Sequence, residues 1–228
     1  MADHAVSTST LRFLAVSRAF VRTWGRLYHG VTVRGGNNVP RTGGVIVASN
    51  HQSHLDPALL CACGPRPVHF LAKEELFKVP GLGLLLKWMG MVPTPRDGAA
   101  MAAMRAGIRI LKENHVLGIF PEGTRSKTGE RLPAEPGVVA LAVMAGNVPI
   151  VPAYIDGSWA AMPPGAGFPR FRKPITITFG EPIILTPAEC NLKDKAKLTE
   201  TAELIMDRIF ALRGSSTTTP ATPAGSRA

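Results

Sequence analysis

The chain has little that would mark it for secretion or for spanning a membrane. Among 228 residues there are three cysteines, Cys61, Cys63 and Cys190. Three thiols build no disulfide framework, so a reducing compartment is expected. A secretory leader is not expected, because Arg18 interrupts the one apolar core near the N-terminus. One uncharged run, Pro136 to Ile155, has the length to cross a bilayer, but Gly146-Asn147, Pro149 and Pro152 break it. A helix followed by a strand is the expectation there. There is no internal repeat, and residues 9–28 hold no acid at all.

What is present is an ordinary apolar fraction of 45% and a net charge of +10. The first is enough to bury a core; the second favours anionic partners such as nucleic acid, anionic lipid or phosphorylated substrates without choosing among them. In the acid-free segment Arg18, Arg22 and Arg26 share a face, mixed with Leu11, Phe13, Leu14, Phe20, Val21, Trp24, Leu27 and Tyr28. A basic amphipathic helix of this kind suits a membrane surface. The same pattern also fits a helix packed on the core with its arginines in water.

Strands are expected at Val31–Val33, Gly44–Ser49, Val68–Ala72, Val116–Phe120, Val148–Ile155 and Pro174–Phe179. Helices are expected at residues 73–77, 82–89, 98–114, 137–145 and within 187–212, the last with Leu198, Ala202, Leu204, Ile205, Ile209 and Phe210 apolar. In the 98–114 helix Met101, Met104, Ile108 and Leu111 form the stripe expected to face the core. Gly90 to Arg96 reads as extended, because each proline forces its predecessor out of the α region. Residues 1–7 and the Ser/Thr/Pro-rich stretch from Gly214 to Ala228 read as disordered. The alternation of helices and strands predicts an α/β single domain with a largely parallel central sheet flanked by helices. It divides into a basic amphipathic membrane-associating segment (1–29), a main domain (30–212) and a tail (213–228).

The chemistry gathers where strands end. The apolar run Gly44–Ser49 leads into Asn50-His51-Gln52-Ser53-His54-Leu55-Asp56-Pro57. Asp56 suits a helix N-cap and Pro57 the first helical position, and Gly64-Pro65 stops the helix. On one continuous helix His51 and Asp56 would lie about 140° apart. On a strand-to-helix turn the carboxylate can reach back to the imidazole, the base and orienter pair of acyl-transfer chemistry. The bland alternative is a cap and a loop histidine. Arg96 and the Pro121-to-Ser126 turn also follow strands, and ligands of open α/β sheets bind beyond the carboxyl ends of the strands.

Together these residues resemble the glycerolipid acyltransferase family, which includes 1-acylglycerol-3-phosphate acyltransferases. Its first block is similar to Asn50-His51 through Asp56-Pro57, and its second to Val92–Arg96. Its third is matched by Phe120-Pro121-Glu122-Gly123-Thr124-Arg125-Ser126, and its fourth by Val148–Ala153. The match runs over roughly residues 30–185 in order and spacing. In the second block Pro93 and Thr94 stand where the family usually has bulky apolar residues.

The resemblance implies transfer of a fatty acyl group from acyl-CoA or acyl carrier protein to the free hydroxyl of 1-acylglycerol 3-phosphate, forming phosphatidic acid, or to another lysophospholipid or polar lipid. It makes His51 the general base and Asp56 its orienter. Arg96 and Arg125 become phosphate ligands, with Glu122, Gly123 and Thr124 beside the acceptor. Glu122 touches the acceptor's polar groups or holds Arg125; a local surface ion pair is the alternative. Lys73 is a further phosphate candidate or a solvated lysine. The start of the helix at Pro57 is where amides for an oxyanion are sought. No cofactor and no metal are implied. The partners are the acyl donor, lysophosphatidic acid and an anionic membrane surface, not nucleic acid, with peripheral attachment at the cytoplasmic face of the cell membrane. A rival reading makes His51, His54 and Asp56 ligands of a metal-dependent hydrolase. A non-catalytic basic protein is a third reading. Ser53 reads as a turn residue, and Cys61 and Cys63 as small buried residues.

Overall fold

The structure, a computed structural model, describes residues 8–94 and 99–214. In chain order it contains α1 (Thr8–His29), β1 (Thr32–Arg34), a 3-10 turn (Gly36–Asn38), β2 (Val45–Ser49), α2 (Leu55–Cys63), β3 (Val68–His69), β4 (Leu71–Lys73), α3 (Glu74–Phe77), α4 (Leu82–Trp88), β5 (Val92–Thr94), α5 (Ala99–Lys112), β6 (Val116–Ile119), α6 (Gly137–Met144), β7 (Ile150–Asp156), α7 (Ser158–Ala161), β8 (Thr176–Phe179) and α8 (Lys195–Phe210). The expectations of disorder for residues 1–7 and for the tail past Gly214 lie outside the described residues, as does Arg96.

Among the described residues six strands form one sheet in the order β1-β8-β7-β2-β6-β3, and β4 pairs with β5 apart from it. All neighbours are parallel except β7 and β8. The expected α/β class with a largely parallel sheet is therefore observed. Every residue of β2 is buried. Val45 and Val47 pack on one side with Leu59 and Leu60 of α2. Ile46 and Ala48 pack on the other with Leu111, Val138 and Ile205 from α5, α6 and α8. A parallel strand covered on both faces has no solvent side, which is why its sequence is an unbroken apolar run. The uncharged run 136–155 resolves into α6 and β7, and among the described residues no helix is long and apolar enough to cross a membrane.

Three details depart from expectation. The strand foreseen at 68–72 is split at Phe70: β3 pairs with β6, and β4 leaves to pair with β5. In α5 three of the four stripe residues face the core as expected, Leu111 buried and Met104 and Ile108 packed against it, whereas Met101 is 60% exposed. A Cβ at Gly107 would meet Leu141 at 2.8 Å, so α5 packs tightly on α6 at a residue that contributes nothing to an apolar stripe. In α8 Met206 is buried and Leu204 exposed, since residues 198, 202, 205, 206 and 209 follow the helical period.

The helix α1 forms as expected, but two of its half-buried arginines turn onto the fold. Arg18 Nη2 donates to Gly64 O (2.9 Å), and Arg22 Nε and Nη2 donate to Ala62 O (3.2 and 3.0 Å). These carbonyls close α2, where acceptors lack intrahelical partners and the helix dipole is negative. The outward side carries Val16, Phe20 and Leu27, which are 68, 71 and 80% exposed. Arg22→Ala should lower stability by about 1.5–3 kcal/mol, the range for hydrogen bonds from a charged donor, read as a shift in the urea midpoint.

Candidate active site

Two adjacent strands deliver the site. β2 and β6 run in register from Val45–Val116 to Ala48–Ile119, so their chains emerge side by side at one edge. Asn50, buried at the exit of β2, accepts Ile155 N–H (2.8 Å) and donates to Ile155 O (3.0 Å), which ties that exit to β7.

In the turn that follows, His51 Nδ1 lies 2.9 Å from Asp56 Oδ2. The same oxygen accepts the N–H groups of Gln52 and Ser53, each at 2.7 Å. The Asp56 residue has no solvent exposure. With the carboxylate as acceptor, Nδ1 carries the proton and Nε2 is left as the basic nitrogen. Asp56 is therefore not the helix cap that the sequence suggested. α2 starts two residues earlier with His54 at the cap position, and the Asp56 carboxylate reaches back to the amides that precede it. The amides sought for an oxyanion are also engaged. Leu55 N–H donates to Ser53 Oγ (3.1 Å), Asp56 N–H donates to Ser53 O (3.3 Å), and Pro57 has none.

The turn after β6 grips His51 from the other side. Glu122 Oε1 accepts His51 N–H (3.0 Å), and Ser126 N–H donates to His51 O (2.8 Å). Glu122 Oε2 accepts Leu132 N–H (3.3 Å). Of the two tasks open to Glu122, the pairing with Arg125 does not form. Arg125 instead donates to His54 Nε2. Burial and then the Arg125 charge hold the His54 pKa down, which suits a neutral acceptor. Gly123 has φ +64°, a conformation open to glycine at no steric cost, and it lines the cavity beside His51. Thr124 is exposed, and no contact assigns it a task. Lys73 is exposed at the end of β4 opposite Thr94 of β5, two residues before Arg96.

Beside the imidazole opens a cavity of about 330 Å³, lined by His51, Phe70, Leu71, Phe120, Val138 and Leu141 among others. The His51 ring stacks on Phe120 (3.9 Å, 11°), which stacks on Phe70 (5.0 Å, 15°). Phe70 lies flat over Gly118, where a Cβ would come within 2.2 Å of the ring. Phe120, Ser126 and the Glu122 grip on the His51 amide are the contributors that sequence reasoning missed. Phe120 and Ser126 lie within the third matched block, which gave neither of them a role. Among the described residues no group of three His, Cys, Asp or Glu side chains is arranged to hold a metal ion. Of the three residues in the hydrolase reading, His54 faces a guanidinium and Asp56 Oδ2 is filled by N–H groups. The cysteines are free, and burial pushes the Cys61 thiol up to about 12.

Burial raises the Glu122 carboxyl to about 7 from an ordinary 4.5, against the lowering effect of its two N–H donors. A carboxyl that binds its proton more tightly when folded contributes stability that is full below about 4.5 and lost as pH rises to about 7. Glu122→Gln should flatten that decline, measured by denaturant unfolding across this pH range.

A family model described as Acyltransferase matches residues 30–156. The 1-acyl-sn-glycerol-3-phosphate acyltransferase of Bacillus subtilis (strain 168) is 32% identical over 185 residues, 80% of this chain and 88% of that one. Human 1-acyl-sn-glycerol-3-phosphate acyltransferase beta is 34% identical over 148 residues, 63% of this chain and 52% of that one. The counterpart in Borreliella burgdorferi is 31% identical over 119 residues, and the match spans 48% of its length. The crystal structure of the 1-acyl-sn-glycerophosphate (LPA) acyltransferase PlsC from Thermotoga maritima superposes with a TM-score of 0.67 at 26% identity, covering 94% of this chain and 85% of that one.

Proposed function

The chain belongs to the acyltransferase family, and on that premise we propose that it moves a fatty acyl group from a thioester donor, acyl-CoA or acyl carrier protein, to the free hydroxyl of 1-acylglycerol 3-phosphate, forming phosphatidic acid. The observation that carries this reading is the His51–Asp56 pair, 2.9 Å apart on a buried carboxylate and opening onto an apolar cavity. The names of the relatives support the acceptor.

In this reading His51 Nε2 takes the proton of the acceptor hydroxyl as its oxygen attacks the thioester carbonyl. Asp56 holds the imidazole and stabilises the imidazolium. The tetrahedral intermediate collapses, the C–S bond breaks, and the proton passes from Nε2 to the departing thiolate. The nucleophile is the substrate's own, so no acyl-enzyme forms. Glu122 and Ser126 fix the His51 peptide and so aim Nε2. Arg125, with Arg96, takes the acceptor phosphate, and His54 is the neutral partner that Arg125 leaves for it. The cavity takes apolar chain. No metal or cofactor enters this scheme.

The reading includes peripheral attachment at the cytoplasmic face of the cell membrane. What supports it is α1, with Val16, Phe20 and Leu27 exposed on an acid-free helix. Deleting residues 1–28 would also remove the Arg18 and Arg22 bonds to α2, so Phe20→Ser with Leu27→Ser is the cleaner probe of that helix.

With purified protein, acyl-CoA and an acceptor panel, His51→Ala should abolish transfer and Asp56→Asn lower it by about 10²–10⁴-fold, while His54→Ala costs much less. Arg125→Ala should cost about 10- to 150-fold in kcat/KM for the phosphorylated acceptor, the worth of one charged hydrogen bond, and far less for monoacylglycerol. Full activity in His51→Ala would end the mechanism. Equal damage to both acceptors in Arg125→Ala would remove the phosphate assignment.

A further inference from the structure

The segment joining β7 to β8, residues 157–175, has a tip whose two phenylalanines stand largely in the open. Phe168 is 87% exposed and Phe171 58%. Arg170, Arg172 and Lys173 alternate with them and are exposed as well. From Gly157 to Gly180 there is no acidic residue.

The segment is braced at both ends. Near its start Ser53 Oγ, in the His51 turn, donates to Met162 O (2.7 Å), and Trp159 Nε1 donates to Lys127 O (3.2 Å). Near its end Tyr28 Oη donates to Pro169 O (3.3 Å), and Arg172 N–H donates to Tyr28 O (3.2 Å). The Tyr28 and Phe171 rings meet at 4.8 Å, and His29 Nδ1 lies 3.1 Å from Lys173 O. The loop thus runs from the active-site turn to the end of α1.

We propose that this loop is a second lipid-contact element. Phe168 and Phe171 enter the interfacial layer of an anionic bilayer, while Arg170, Arg172 and Lys173 lie against its phosphates. Together with the outward side of α1 it would give the protein two points of attachment. Two points leave only rotation about the line that joins them, so the tilt of the edge bearing His51 against the lipid would be restricted. Interleaved aromatics and cations without acid match such a surface in chemistry and in sign of charge. The inference rests on the proposed function only in supposing that the acceptor is met in a bilayer.

The test is sedimentation of the full chain with sucrose-loaded vesicles of phosphatidylglycerol and phosphatidylcholine that contain neither donor nor acceptor. Burying one phenyl ring changes a partition constant by roughly tenfold or more, so Phe168→Ser should bind about tenfold more weakly. Phe168→Leu should bind nearly as the wild type does. Arg170→Ala with Lys173→Ala should weaken binding to the anionic vesicles and reduce its salt dependence. Turnover of a dispersed, short-chain acceptor should be unchanged in Phe168→Ser, with an unshifted melting curve. Wild-type vesicle binding in Phe168→Ser overturns the proposal, as does unchanged salt dependence in the charge variant. If Phe168→Ser instead binds vesicles normally but loses affinity for an oligonucleotide, the loop is a nucleic-acid contact and the lipid proposal fails. Because the vesicles hold no substrate, an error in the proposed acceptor would leave the binding result standing.

Discussion

One oxygen of one buried carboxylate organises the catalytic edge. Asp56 Oδ2 receives His51 Nδ1–H and the amides of Gln52 and Ser53, all within 2.9 Å. A carboxylate removed from water costs several kcal/mol unless such donors converge on it. Here they can converge only if the chain between β2 and α2 folds back on itself. Thus the condition for burying Asp56 is also the condition that orients the imidazole. The turn, the tautomer and the direction of the basic nitrogen are then consequences of a single requirement.

That requirement is met inside a frame set by the sheet. Parallel pairing of β2 with β6 brings the Glu122 turn against the His51 turn, and the peptide of His51 is held through both its N–H and its O. The ring of His51 rests on Phe120, Phe120 on Phe70, and Phe70 on the bare backbone of Gly118. The backbone of the histidine is therefore fixed by polar contacts and its ring by apolar ones. Such double restraint suits a group that must stay in place while a proton comes and goes.

Charge is distributed differently from what a helical projection suggests. Arg18 and Arg22 turn inward to the open carbonyls of α2, because a helix end with unpaired acceptors draws cations more strongly than solvent does. The side of α1 left outward is its apolar one, and the β7–β8 loop that touches the end of this helix presents phenylalanines in turn. The net charge of +10 is thus only partly a surface property, since some of it is used within the fold.

The class of fold, the run of buried strands and the positions of His51, Asp56, Glu122, Gly123 and Arg125 at strand exits were legible in the amino-acid order, because burial on two faces, turn chemistry and helix periodicity are local signals. Pattern also sufficed to see that His51 and Asp56 belong to one turn. It also let the carboxylate reach back to the imidazole, as it does, and erred only in starting the helix too late, with Asp56 as its cap. The grip of Glu122 on the His51 amide joins residues 71 apart, and no spacing rule connects them. The close packing of α5 at Gly107 against Leu141 and the facing of α1 toward the end of α2 followed no such rule either. Those choices rest on contacts between segments distant in sequence, which exist only once the sheet has brought them together, and so the tertiary structure alone decided them.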